Sequence, residues 1–384
     1  MARALYIHWP FCARKCPYCD FNSHVRASID DGIWRDALLA DLRFEAEQVA
    51  DRQPLSSVFF GGGTPSLMPP ATAAALLEEA ERLFGFEPDI EITLEANPSS
   101  VEAERFADLA NAGVNRVSLG VQALDDAVLR FLGRLHSVDE ALHALDHAQH
   151  RFDRVSFDLI YARPGQTKAE WEQELARALS FGTEHLSLYQ LTIEPGTRFA
   201  TDLRCGLLEP LNDDAAADLY ELTQEMTGAA GLPAYEVSNH ARSGCESRHN
   251  LTYWRYGDYL GIGPGAHGRR DGLATERHKK PENFLSAISS SGSGLSSVSR
   301  LSAREQASEA LLMGLRLAEG VDTSEIASRF GLQAIDLWDD LAAARLVAQG
   351  LLSQMGDRVR VTGDGMLVLN SIVAELINID LLAA

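Results

Sequence analysis

The stretch Tyr6-Ile7-His8-Trp9-Pro10-Phe11-Cys12-Ala13-Arg14-Lys15-Cys16-Pro17-Tyr18-Cys19 runs an apolar β-like segment straight into three cysteines within eight positions. The spacing is C-x3-C-x2-C, and the chain's other two cysteines, Cys205 and Cys245, lie far away and read as small structural residues. An odd count spread over 384 residues does not suggest a disulfide framework. Structural zinc prefers four ligands, often as two C-x2-C pairs, and there is no second pair. Soft thiolates suit an iron–sulfur cluster, and three of them leave one iron of a four-iron cluster open to an external ligand. The competing reading is three incidental loop cysteines. Pro17, Phe11 and Tyr18 weigh against it, because they fit a tight, shielded loop.

Outward from this loop, short β-rich runs alternate with helical patterns. Strands are expected at Leu5–His8, Ser57–Phe60, Glu91–Glu95, Arg116–Val121, Arg154–Ile160 and His185–Leu191. Helices are expected at Ile33–Val49, Ala71–Leu83, Ser100–Ala110, Val138–Ala148 and Lys168–Leu179. Such alternation implies parallel βαβ units and an α/β class. The reading is a partial TIM-like (β/α)6 barrel, with a doubly wound sheet as rival. Three units follow: a barrel over 1–230, a connecting segment over 231–300 with a Ser/Gly-rich linker (SSSGSGLSSVS, Ser289–Ser299), and a helical, winged-helix-like module over 301–384. Winged helices often bind DNA, but this one has no basic stripe and reads as a scaffold.

In a barrel, chemistry gathers where strands end and βα loops begin. The cysteine loop follows the first strand and Gly61-Gly62-Gly63-Thr64-Pro65 the second. Glu95 ends the third, Gln122 follows the fourth and Asp158 lies late in the fifth. The glycines let a ligand approach backbone N–H groups, although their spacing is not a dinucleotide fingerprint. Each residue alone could be a turn or strand-end residue; together at one rim they favour a common site.

The 34 Lys+Arg against 55 Asp+Glu give a net charge of −21, which argues against a nucleic-acid binder. No apolar run approaches the roughly 20 residues of a membrane span. Residues 1–10 lack a charged, then apolar, leader pattern, so a cytoplasmic protein is expected.

The cysteine stretch resembles the radical S-adenosylmethionine (SAM) superfamily. Gly61–Ser66 (GGGTPS), Glu95-Ala96-Asn97-Pro98, Ser118-Leu119-Gly120-Val121-Gln122 and Asp158-Leu159-Ile160-Tyr161 extend the likeness. It falls in the branch holding oxygen-independent coproporphyrinogen III oxidase and the HemW-type haem chaperone family, and runs over nearly the whole chain. The resemblance implies that Cys12, Cys16 and Cys19 hold three irons of a [4Fe–4S] cluster while the fourth takes the amino and carboxylate groups of SAM. A reduced cluster then passes an electron to the sulfonium and releases a 5′-deoxyadenosyl radical. Matching positions imply SAM contacts at Tyr6, Tyr18, Gly62, Gly63, Thr64, Glu95, Gln122, Arg134 and Asp158.

Within that branch, three features separate oxidase from chaperone. The oxidase carries a further cysteine where this chain has Phe21. It also carries an N-terminal extension before its cluster loop, which is not expected here with the first cysteine at position 12. His249-Asn250-Leu251-Thr252-Tyr253-Trp254 matches the H-N-x-x-Y-W signature of the chaperone. Read alone, His249 is a hydrogen-bonded structural histidine; the resemblance makes it a haem-ligand candidate. The implied function is a haem chaperone binding haem, a cluster and SAM. It would hand haem to an acceptor such as a respiratory enzyme, including a transient membrane-associated one, and form a homodimer. The alternative is the oxidase, decarboxylating coproporphyrinogen III. The SAM machinery reads as intact, oxidase turnover is not expected, and no catalytic residue is assigned.

Overall fold

The computed structural model describes residues 3–377. Six strands, β1 (Arg3–Trp9), β2 (Leu55–Gly62), β3 (Phe86–Ala96), β4 (Arg116–Gln122), β5 (Arg154–Tyr161) and β6 (His185–Gln190), lie side by side in chain order, all parallel. A doubly wound sheet reverses strand order at a switch point, and none occurs among these six strands. The sheet curves as an open barrel of six strands. β1 is buried on both faces apart from a half-buried Tyr6, as expected for a parallel strand covered by helices.

The crossover helices α1 (Asp31–Glu47), α2 (Pro70–Phe84), α3 (Val138–Arg151) and α4 (Lys168–Leu179) follow their strands. Their starts are written locally. The Asp30 carboxylate accepts the Ile33 N–H, Pro70 opens α2, and Ser137 with Glu140 and Thr167 with Glu170 form capping boxes. The expected helix over 100–110 divides into two short pieces, Ser100–Ala103 and Phe106–Asn111, as the Arg105 guanidinium turns to the Leu67 and Met68 carbonyls.

Residues 231–300 are not a connector. After α5 (Asp213–Ala229), β7 (Asn239–Ala241) pairs antiparallel with β6. α6 (Arg248–Trp254) follows, and β8 (Tyr259–Ile262) pairs parallel with β1 on the opposite edge. β9 (His267–Arg270), β10 (Leu273–Arg277) and β11 (Leu295–Arg300) extend that edge to a sheet of eleven strands. An open sheet leaves unpaired N–H and C=O groups along both edges, and this segment covers them. The Ser/Gly-rich stretch is therefore structured: Ser289–Ser291 end α7 (Pro281–Ser291), Gly292 caps it in the left-handed region, and β11 completes the ladder. Its side chains face mostly outward, so backbone pairing holds it.

A buried ion network binds α1 to this extension. Arg277 reaches Asp41 and Glu45, and Arg270 also pairs with Glu45. The C-terminal module packs its own apolar core from α8 (Ala303–Gly314), α9 (Thr323–Phe330), α10 (Asp340–Ala348) and α11 (Leu369–Leu376). A small sheet of β12 (Val321–Asp322), β13 (Leu352–Met355) and β14 (Arg358–Val361) completes its winged-helix-like form. The Tyr256 hydroxyl donates to Glu309 (2.6 Å) and Arg329 to the Tyr256 carbonyl (2.7 Å), joining module to barrel.

Candidate functional site

A cavity of about 370 Å3 opens at the C-terminal ends of β1 to β5. Cys12, Cys16, Cys19, Tyr18, Gly62, Gly63, Thr64, Glu95, Gln122, Arg134 and Asp158 all line it. They come from six segments spread over 147 positions, brought together because each sits at or just beyond a strand end. Trp9, Phe11, Trp34 and Phe284 stack beneath the cysteine loop, with Phe11 and Trp34 ring centroids 5.0 Å apart.

Each cysteine sulfur lies near a donor. The Thr64 hydroxyl donates to Cys12 (3.4 Å) and Arg134 Nη1 to Cys16 (3.5 Å), while Cys19 lies 3.9 Å from the Ser23 hydroxyl. Burial pushes the Cys12 and Cys19 thiols up. Among the described residues no three His, Cys, Asp or Glu side chains converge on one ion position. In a four-iron cluster each thiolate binds a different iron. Donors aimed at the sulfurs stabilise the anionic form such a group requires.

The opposite wall is built for close approach. Gly62 adopts φ +112° with a Cβ position only 2.6 Å from the His8 ring, and a Cβ on Gly63 would stand 2.6 Å from the Phe11 carbonyl oxygen. Only glycine fits at either place, and the backbone reaches the cavity directly. Gln122 lies in the left-handed region at φ +71°, an uncommon conformation for a residue with a side chain. Its Oε1, like Arg134 Nε, is buried with no hydrogen-bond partner among the described residues. A ligand bearing a donor and an acceptor would satisfy both atoms.

Two carboxylates face the same space. Burial, then the neighbouring Asp158, pushes Glu95 up to about 8, although Gly62 N–H donates to it (3.2 Å). Burial pushes Asp158 up to about 6, opposed by Ser187 and Ser118, whose hydroxyl donates at 3.1 Å. A cationic ligand would relieve both groups by favouring their ionised forms.

Asn97 and Ser118, which the sequence offers within two motifs without a contact assigned to either, also line the cavity. Asn97 accepts from Arg134 Nη2 and donates to Thr64 (3.1 Å), tying the guanidinium to the glycine loop. Its place two residues after Glu95, at the same strand end, was the signal available.

Tyr6 and His249 are not brought to the cavity. Tyr6 hydroxyl bonds His8 Nδ1 (2.9 Å), behind the wall. His249 is 1% exposed, and both ring nitrogens are engaged, Nδ1 with Ser57 (3.1 Å) and Nε2 with the Tyr253 hydroxyl (2.6 Å). Its ring stacks on Phe59 at 4.8 Å. The start of α6 is held by Glu91, which accepts the Arg248 and His249 N–H groups (3.2 and 3.1 Å). Ser57 and Glu91 are paired neighbours in the sheet, five residues before Gly62 along β2, or about 16 Å below the cavity. The H-N-x-x-Y-W segment therefore plugs the N-terminal end of the barrel. Cys205 is exposed at the end of a short helix, and Cys245 lies 3.3 Å from Glu184.

The description "Radical SAM superfamily" matches residues 6–178, and "HemN C-terminal domain" matches 301–368. Radical S-adenosyl methionine domain-containing protein 1, mitochondrial, of Mus musculus is 41% identical over 97% of this chain and 87% of its own length. Heme chaperone HemW of Escherichia coli (strain K12) is 38% identical over 96% of this chain and 97% of its own. The solved coproporphyrinogen III oxidase (HemN) of Escherichia coli, described as a radical SAM enzyme, shares the fold with a TM-score of 0.82 at 23% identity, covering 97% of this chain and 89% of that one. No helix among the described residues is long and apolar enough to cross a membrane. Sulfurs with donors, a glycine wall and a near end-to-end alignment agree: the chain belongs to the radical SAM superfamily and, within it, to the HemW family.

Proposed function

We propose that this chain is a haem chaperone that binds haem, a [4Fe–4S] cluster and SAM, and delivers haem to an acceptor protein. The observation that carries this reading is the donor-bonded sulfur trio facing an orphaned Gln122 and Arg134, in a chain that aligns almost throughout with a protein named heme chaperone. Cys12, Cys16 and Cys19 would hold the cluster, with Tyr18 set against Phe199 at the cavity wall. When bound, that cluster supplies an electron to the SAM sulfonium. Gly62 and Gly63 let the ligand pack closely on the backbone, their own N–H groups being held by Glu95 and the Trp9 carbonyl, and Thr64 orients Cys12. Arg134 offers its free Nε to a carboxylate, while Glu95 and Asp158 meet the cationic part of the ligand. Tyr6 holds His8 beneath Gly62, supporting the wall from behind.

We assign His249 to the barrel plug. To bind haem iron it would have to break two internal hydrogen bonds and leave Ser57 and Tyr253 unpaired in a buried site. We further propose division at about residue 300, a homodimer, a cytoplasmic or organellar-matrix setting, and a haem-requiring acceptor such as a respiratory enzyme.

The test is haem titration of anaerobically reconstituted protein, followed by transfer to a haem-free cytochrome. Stoichiometric binding and transfer are expected. Absence of haem binding, or decarboxylation of coproporphyrinogen III with SAM and reductant, overturns the reading, the latter in favour of the oxidase.

A further inference from the structure

The cavity has a polar floor and an apolar mouth. Phe21, Val101 and Leu135 stand at its edge and are 63%, 67% and 65% exposed. They arise from three separate segments: the cysteine loop, the short helix Ser100–Ala103 and the loop before α3. Single exposed apolar residues are ordinary, but three converging on one opening mark a binding face. Arg14 and Lys15 line the same mouth and are also exposed. Neither forms an ion pair among the described residues, and Lys15 makes only a long contact (3.5 Å) with the Phe21 carbonyl. In a chain of net charge −21, two uncommitted cations beside an apolar edge are a local reversal of sign.

Apolar side chains flanked by cations complement a flat, greasy molecule carrying carboxylates. We propose that this rim is the haem seat: the macrocycle rests on Phe21, Val101 and Leu135, with its propionates toward Arg14 and Lys15. This rests on reading the chain as a haem chaperone. The rival space is the cleft of about 640 Å3 between barrel and module, lined by Tyr189, Trp254, Met366 and Leu367. Its lining cation, Arg316, is part-buried and held by the Leu312 carbonyl and Asn370, whereas Arg14 and Lys15 are exposed and free to turn to a propionate.

The experiment titrates the cluster-loaded full chain with haem and with haem dimethyl ester, followed by absorbance. Wild type should prefer the free acid. Arg14→Glu with Lys15→Glu should weaken haem about tenfold and leave the ester unchanged, erasing that preference. Phe21→Ser with Leu135→Ser should weaken both by about tenfold or more. Val101→Ser, outside the cysteine loop, should weaken both in the same direction, and it replaces the Phe21 variant if that variant loses iron. Four irons per chain and unchanged SAM binding show that the site is intact. Wild-type haem affinity in these variants overturns the inference, as does equal weakening of haem and ester by charge reversal. Loss confined to Trp254→Ser or Met366→Ser overturns it in favour of the cleft. A wild-type chain that binds no haem at all defeats the chaperone reading itself.

Discussion

Replacing Glu95 by Gln should make the cluster-free protein more stable while weakening its hold on SAM. The carboxyl lies at the end of β3 with its pKa raised from 4.5 to about 8, chiefly by burial. Between those values the folded chain keeps a proton that the unfolded chain has released. Stability is therefore lost as pH climbs from 4.5 toward 8, and the lost amount stays constant above 8. The full interval, 8 − 4.5 = 3.5 units, corresponds to about 5 kcal/mol. The side chain keeps partial contact with the open cavity, which screens it, so roughly half, about 2 kcal/mol, is expected. Glutamine has no proton to lose, and it also removes the Glu95–Asp158 repulsion, which grows as pH rises and so acts in the same direction. The quantity to measure is therefore the difference in unfolding free energy between variant and wild type, by urea titration at pH 5.5, 7 and 8.5. It should grow in favour of the variant by about 2 kcal/mol across that range. A difference that stays flat, or that shrinks as pH rises, refutes the claim that Glu95 is held protonated by its surroundings.

The same carboxyl sets a pH dependence for ligand binding. SAM affinity, followed by equilibrium dialysis, should rise between pH 6.5 and 9 as Glu95 ionises to meet a cation, and Glu95→Gln should flatten the profile; a wild-type profile already flat contradicts this assignment. Cys16→Ser should lose most of its cluster iron after anaerobic reconstitution, because an alkoxide is a poor match for iron here, and full iron content would contradict the sulfur trio. Gly63→Ala should shift the Phe11 backbone and lower both iron content and SAM binding, since its Cβ meets a carbonyl oxygen at 2.6 Å. His249→Ala should cost about 2–4 kcal/mol in urea unfolding by opening a hole between Phe59 and Tyr253, while haem affinity stays as in wild type. A haem spectrum changed by that substitution without loss of stability would return His249 to the role of ligand.

Much of the architecture was legible because its signals are local. Six apolar runs between amphipathic stretches mark β1 to β6, since strands buried on both faces carry near-continuous apolar sequence. Ser137 with Glu140, and Thr167 with Glu170, announce their helices within four residues. The cysteine spacing and the glycines at Gly62 and Gly63 were readable for the same reason: the constraint and the residues that satisfy it are neighbours in the chain. β11 was misread as a linker because its serines bury no apolar face, and ladder bonding to β10 leaves no trace in side-chain periodicity. Asn97, the orphaned atoms of Gln122 and Arg134, and the raised carboxyls of Glu95 and Asp158 belong to a space enclosed by residues more than a hundred positions apart. That the His249 ring nitrogens meet Ser57 and Tyr253 likewise follows from where α6 packs against β2. Composition and spacing fix which groups a chain possesses and what its backbone does over a few turns; desolvation, field and hydrogen-bond partnership depend on distance through space, and only folding sets those distances.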